Sequence, residues 1–115
     1  MHAAAARQQQ VTRLLQSFSA RFDELILELR RQAANPLPAE LVDEIAGTAG
    51  ELMLALVNHR AAFEEGESVR KAIDDAARLR EAARAQGLRR EQIAAAVLDI
   101  TRDVDQIIRE DKRAA

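Results

Sequence analysis

Few side chains in this sequence could carry out catalysis, since it contains two histidines and no cysteine. His2 lies near the start of the chain, and His59 stands next to Arg60. Hydrolytic catalysis usually needs a nucleophile with a base beside it, whereas a histidine at position 59 also suits a helix end, where the dipole favours positive charge. The sequence lacks an H-E-x-x-H zinc motif, a glycine-rich phosphate loop and a G-x-S-x-G turn. We therefore expect neither a catalytic site built on these residues nor a cofactor.

Two acidic pairs have a spacing that some proteins use to bind magnesium. Glu40-x-x-Asp43 and Glu64-x-x-Glu67 resemble the paired motifs of the all-α nucleotide pyrophosphatases, which lie on adjacent helices. Here about 24 residues of one predicted helix separate the two pairs, or ~36 Å at ~1.5 Å per residue. They cannot share an ion within one chain, and complementarity with the helix dipole explains the first pair. The sequence therefore predicts no metal site.

The segment Met53–Arg60 (MLALVNHR), followed eleven residues later by Lys71, resembles the first long helix of the helical chorismate mutases. Residues 87–93 are similar to the start of the C-terminal helix of that family. The resemblance implies a helical enzyme in which Arg60 and Lys71 hold a dicarboxylate substrate. The arginine that the family places near the start of the same helix falls here at Asp43, and the first helix of this chain has no counterpart in the family.

Residues 79–98 could also form a DNA-binding helix-turn-helix. Ala83, Gly87 and Ile93 match its template of a small residue, a turn glycine and a buried aliphatic residue. The residues that would read the bases begin the following helix: Arg89, Arg90 and Gln92. Arginine can bind guanine there and glutamine adenine, but carboxylates later in the same helix would be repelled by phosphates. A plain αα-hairpin with a glycine stop explains the same residues, so both interpretations stay open.

The composition indicates one helical globular domain. Of the 115 residues, 48% are hydrophobic and 31% are charged, which is a globular balance for a single domain. Only two prolines and four glycines interrupt a chain rich in alanine, leucine, arginine, glutamate and glutamine, the strong helix formers.

The charge and the apolar runs limit the partners that we expect. The net charge of −2 gives no overall attraction to nucleic acid or anionic lipid, although residues 36–66 hold one arginine and six carboxylates. The first ten residues lack the apolar segment of a signal peptide. The apolar run Leu52–Val57 is far shorter than the ~20 residues of a membrane span. We expect a soluble cytoplasmic protein that does not bind membranes.

Apolar spacing and helix-breaking residues predict four helices. Their expected ranges are residues 3–34, 38–65, 69–86 and 90–112. Pro36 and Pro38 separate the first two helices, Gly66 ends the second, and Ser68 is the expected N-cap of the third. The fourth carries the 4-3-4-3 spacing of a coiled-coil seam: Ile93, Val97, Ile100, Val104 and Ile107.

The second helix carries two unusual features. Gly47 and Gly50 lie in its middle, where each costs ~1 kcal/mol relative to alanine, so we expect a close helix contact or a bend there. The run Leu52–Val57 is apolar all the way round, which predicts burial on more than one side.

We predict an all-α fold, either an up-down four-helix bundle or a helical hairpin assembly that dimerisation completes. The leading function is non-catalytic: a small helical regulatory module that binds another protein or a second copy of itself. The residues expected to contact that partner are apolar ones in surplus of a single core: Met53, Leu54, Leu56, Val57 and Ile108.

Overall fold

A computed structural model describes residues 2–31, 37–59, 66–85 and 90–114, and within these ranges the side chains of residues 9–110. The described residues form helices and no strand, which confirms the all-α prediction. The four helices are α1 (His2–Arg31), α2 (Ala39–Asn58), α3 (Glu67–Arg84) and α4 (Arg90–Ala114). They pack against one another as a four-helix bundle with principal extents of 51 × 21 × 19 Å.

Helix α2 begins directly after the Pro38 that the sequence marks as its start. The carbonyl oxygen of Pro38 accepts hydrogen bonds from the backbone N–H groups of Leu41 and Val42, at 3.1 Å each. The helix ends at Asn58, and the backbone N–H of His59 closes the last turn on the carbonyl of Ala55 at 3.0 Å. The expected extension to residue 65 falls on positions that the structure does not describe.

The predicted N-cap of α3 is wrong. Gly66 occupies the cap position, and its carbonyl accepts from the N–H groups of Val69 and Arg70. Ser68 therefore lies inside the first turn, where its hydroxyl donates to Oε1 of Glu110 on α4 at 2.8 Å. A serine caps a helix when its own backbone is extended, but here the extended residue is Gly66, two positions earlier.

Side-chain hydrogen bonds join neighbouring helices of the bundle. Ser19 of α1 meets Asp105 of α4, and Arg21 of α1 meets Thr48 of α2. Lys71 near the start of α3 meets Asp103 in the middle of α4, and Ser68, one turn earlier in α3, meets Glu110, two turns later in α4, so these two helices run antiparallel. The α2–α3 contact is the most extensive and the α1–α2 contact the smallest of the four main helix pairs.

The core runs through all four helices and matches the predicted apolar faces. In α4 the whole predicted seam is buried, and in α1 buried residues extend from Val11 to Leu29, so the first helix packs rather than protrudes. The alanine-rich face of α3 is buried too, through Ala72, Ala76 and Ala83, which lets its neighbours approach closely. Each buried leucine, isoleucine or phenylalanine contributes roughly 1.5–3 kcal/mol, so these rows supply the driving force for assembly.

Candidate functional site

One side of α2 is left uncovered by the rest of the bundle. Its exposed residues recur at three- and four-residue steps along the whole helix, which places them in one stripe. We call this stripe the outer face of α2: Glu40, Asp43, Glu44, Gly47, Glu51, Leu54, Val57 and Asn58. The opposite side of the helix is buried through Leu41, Ile45, Leu52 and Leu56.

Two large apolar side chains lie on this outer face. Leu54 is 58% exposed and Val57 is 48% exposed, although both belong to the run that we predicted to be buried on more than one side. The described part of the chain therefore does not provide the second covering surface. Leu27 of α1 (50%) and Leu98 of α4 (37%) are the other large apolar residues that are exposed among the described side chains, and each lies on a different helix.

The remaining predicted partner residues lie elsewhere. Leu56 is 1% exposed and Ile108 is 9% exposed, so both belong to the core of this chain and cannot contact a partner in the folded bundle. Met53 is partly buried and packs against the same core. Helical periodicity separates these residues from Leu54 and Val57, because a run that is apolar all round presents only part of its circumference to the bundle.

The two glycines of α2 have different surroundings, and the helix passes both without a break. A Cβ atom added at Gly47 would meet nothing within 4 Å, whereas one at Gly50 would meet Cδ of Arg80 at 3.7 Å. The expected close helix contact is thus absent at Gly47. A glycine in an exposed helix interior lowers stability by ~1 kcal/mol relative to alanine, and no contact within the described chain offsets that cost at this position.

Charge is distributed unevenly along the outer face. Three carboxylates lie in the first six residues of α2, whereas the stretch from Leu52 to Asn58 has none. Glu51, in the middle, pairs with Arg21 of α1, whose Nη2 lies 2.6 Å from its Oε2. The same Arg21 nitrogen donates to the buried hydroxyl of Thr48 at 3.3 Å, so this cation anchors α1 to one flank of α2.

A second polar feature connects α3 to α4. Nζ of Lys71 donates to Oδ2 of Asp75 and to Oδ1 of Asp103, at 2.8 Å each. The Asp103 side chain is only 8% exposed, and its Oδ2 is buried without a hydrogen-bond partner. Sequence reasoning treated Asp103 only as a charge that would repel phosphates and so missed this contact. Lys71 and Asp103 lie equally far from Gly87 in the sequence. A helical hairpin that turns at Gly87 would place them opposite each other, so the glycine could have indicated the pairing.

The titration of these three groups follows from their contacts. Burial raises the pKa of Asp103 to about 6, and the neighbouring carboxyl of Asp75 adds to that effect. The pKa of Asp75 moves in the opposite direction, lowered by the neighbouring Asp103 carboxyl and by Lys71. Hydrogen bonds to Asp103 and then to Asp75 raise the pKa of Lys71, which stays protonated. The two carboxyls can therefore share one proton at and below about pH 6, which lowers the cost of burying Asp103.

The resemblance to chorismate mutases implies that Lys71 holds the substrate, but in this structure the network already engages Lys71. Lys71 already binds two carboxylates of its own chain, so an incoming dicarboxylate would have to displace them. Arg60, the second residue of that hypothesis, lies outside the described residues. Asp43 stands exposed on the outer face of α2, at the position where the family has an arginine.

The described side chains form no cluster of metal ligands. No group of three potential metal ligands comes together among them, and His59 is exposed at the end of α2. Glu40 and Asp43 lie at the start of α2, while Glu64 is outside the described residues. Between α1 and α4 a shallow depression of about 120 Å³ is lined mainly by Ile26, Leu29, Ala94 and Leu98. Small-molecule sites commonly occupy ~300–1,000 Å³, so this depression is smaller than an ordinary substrate pocket.

The geometry of α3 and α4 differs from that of a DNA-binding helix-turn-helix. That motif has helices that cross at ~90–120°, whereas here the start of α3 still contacts α4 far from the turn, through Lys71–Asp103 and Ser68–Glu110. This is an antiparallel hairpin. Of the predicted base-reading residues, Arg90 is half-buried beside the α1–α4 depression and Gln92 is exposed. Arg89 lies outside the described residues, as does the Gly87 turn.

Comparison with protein-family models, with characterised proteins and with solved structures finds no match to this chain. None of the described helices combines the length and apolar character that crossing a bilayer requires. The outer face of α2 is the described surface whose composition the fold itself does not explain.

Proposed function

We propose that this protein is a non-catalytic helical interaction module that binds a helix of its partner on the outer face of α2. The observation that carries the proposal is the exposure of Leu54 and Val57 at the end of a helix whose other side lies in the core. These side chains stand three residues apart on one helix side, which is the spacing with which helices pack in a groove or against another helix.

The surroundings of the two apolar residues support this interpretation. Gly47 lies two turns before Leu54 on the same side and leaves an open space in which a partner helix could approach the backbone. Carboxylates flank this strip at Asp43 and Glu51, which supplies the polar rim of a typical protein interface. The contact would be small, because two exposed aliphatic side chains cover only part of one helix.

Site-specific photo-crosslinking in the expressing cell tests the proposal. A photoreactive amino acid at Asn58 of the outer face should give discrete adducts of higher mass, and Leu54→Asp in the same chain should abolish them. The matched control is the photoreactive residue at Gln16, an exposed amide on α1. If position 58 gives no adduct beyond those from position 16, the outer face of α2 is not a docking surface and the proposal is wrong.

A further inference from the structure

The outer face of α2 is complementary to itself when two copies of the helix run antiparallel. We propose that its partner is a second copy of this chain, in a two-fold contact centred between Gly50 and Glu51. The inference rests on the proposed function, because it names the partner of the same face. A two-fold interface has to be self-complementary, and three features of α2 meet that condition.

The first feature is a match of size between Leu54 and Gly47. In the proposed register the residue numbers of facing positions add up to 101, so Leu54 of one copy lies over Gly47 of the other. Because the pair has two-fold symmetry, this contact occurs twice. Leu54 is the most exposed large apolar residue described, and the space above Gly47 is open, since a Cβ atom there would meet nothing within 4 Å. A leucine that packs against a glycine lets two helix backbones approach closely.

The second feature is the distribution of charge along the helix. Asp43 and Glu44 lie near the start, no lysine or arginine occurs between Ala39 and Asn58, and Asn58 with His59 forms the end. An antiparallel pair places Asp43 opposite Asn58, whose amide can donate to the carboxylate. A parallel pair would place every carboxylate of the outer face beside its own counterpart, which is unfavourable. The antiparallel pair does so only at Glu51, which is already paired with Arg21 of its own chain at 2.6 Å.

The third feature is the direction of the helix dipoles. In an antiparallel pair the positive end of each α2 lies beside the negative end of the other, so the dipoles attract. Size, side-chain charge and dipole therefore favour the same orientation.

Sedimentation velocity over a range of concentrations tests whether the purified protein self-associates. We expect a reversible dimer of the 12.7 kDa chain, which Leu54→Asp converts to a monomer. Leu27→Asp is the matched control, because Leu27 is similarly exposed but lies on α1, and it should leave the dimer unchanged. Circular dichroism checks that both variants keep their helices. A protein that stays monomeric at several hundred micromolar, or a dimer that Leu54→Asp leaves intact, would overturn the inference.

Disulfide cross-linking tests the register, since the chain has no cysteine of its own. Glu51→Cys should cross-link to its own counterpart, because position 51 lies beside the two-fold axis. Asp43→Cys and Asn58→Cys should cross-link when the two variants are mixed but not when either is alone. Equivalent positions 43 lie about 15 residues apart along the pair, or ~22 Å. Cross-linking of Asp43→Cys with itself would indicate a parallel pair and contradict the proposed contact.

The photo-crosslinking experiment separates this inference from the proposed function. An adduct at position 58 of twice the chain mass supports both. An adduct with a different protein, combined with a monomer in sedimentation, supports the proposed function and overturns the second copy as the partner. The absence of any adduct specific to position 58 overturns both.

Discussion

Lys71 and Asp103 are joined by a hydrogen bond of 2.8 Å from Nζ to Oδ1, which connects the start of α3 to the middle of α4. The lysine is 62% exposed and the carboxylate only 8%, so the cation covers a charge that the bundle has withdrawn from water. An isolated buried carboxylate is costly, and Lys71 together with a proton shared with Asp75 lowers that cost.

Replacing Asp103 by asparagine should change how stability depends on pH. The pKa of Asp103 is raised from 3.8 to about 6 in the folded protein, so its favourable contribution is complete below pH 3.8 and is lost as the pH rises through 6. The pKa of Asp75 is lowered from 3.8, so its contribution to stability is present above pH 3.8 and is lost only as the pH falls below that value. Between pH 5 and pH 7.5 the natural chain should therefore lose about 1 kcal/mol of unfolding free energy that the Asp103→Asn variant does not lose.

Urea denaturation at these two pH values measures the difference. Asp99→Asn serves as the control, because Asp99 is an exposed carboxylate on the same helix, and it should show no comparable change. If Asp103→Asn alters the free energy of unfolding equally at pH 5 and pH 7.5, the carboxyl does not titrate between them.

Replacing Lys71 by methionine should lower the thermal midpoint, and more strongly at pH 7.5 than at pH 5. At the higher pH the two carboxylates lose their common hydrogen-bond donor, whereas at pH 5 a proton on Asp103 partly replaces it. Adding Asp103→Asn to the same chain should recover much of the loss. Arg78→Met is the control, since Arg78 is 80% exposed and lies 3.9 Å from Asp75. A loss that is the same at both pH values would argue against this account.

Replacing Phe22 by alanine should destabilise the bundle by roughly 3–5 kcal/mol. Phe22 is fully buried in the middle of α1, where its removal leaves a cavity that the neighbouring helices cannot fill. Leu27→Ala, five residues later on the exposed side, should change stability by no more than about 0.5 kcal/mol. Chemical denaturation of the two variants compares these values, and similar losses would show that α1 does not pack as described.

Replacing Gly47 by alanine should have opposite effects on folding and on association. In dilute protein it should raise the free energy of unfolding by about 1 kcal/mol, because alanine is the better helix former and its Cβ meets nothing. In sedimentation it should weaken the dimer, since the methyl group fills the space proposed for Leu54 of the second copy. Gly50→Ala is a useful comparison, because its Cβ would contact Arg80 at an ordinary 3.7 Å.

The amino-acid sequence by itself predicted the class of fold and most of the core. Helix-forming composition and the 3.6-residue period placed four helices and the buried seam from Ile93 to Ile107, because both signals are local. The Pro38 boundary was equally readable, since proline restricts the residue before it. The N-cap of α3 was wrong by two residues because Gly66 and Ser68 can both adopt the extended conformation of a cap.

Only the tertiary structure decided which parts of the apolar run in α2 are covered and which charges are buried. Leu54 and Leu56 have the same side chain and lie two residues apart, yet one is 58% exposed and the other 1%. The rotation of α2 against α3 and α1 determines that difference, and it depends on contacts between residues far apart in sequence. Asp103 likewise becomes a buried partner of Lys71 only because α3 and α4 pack as a hairpin. That packing covers the Asp103 carboxylate, which lies beside the α4 seam, with the lysine of α3.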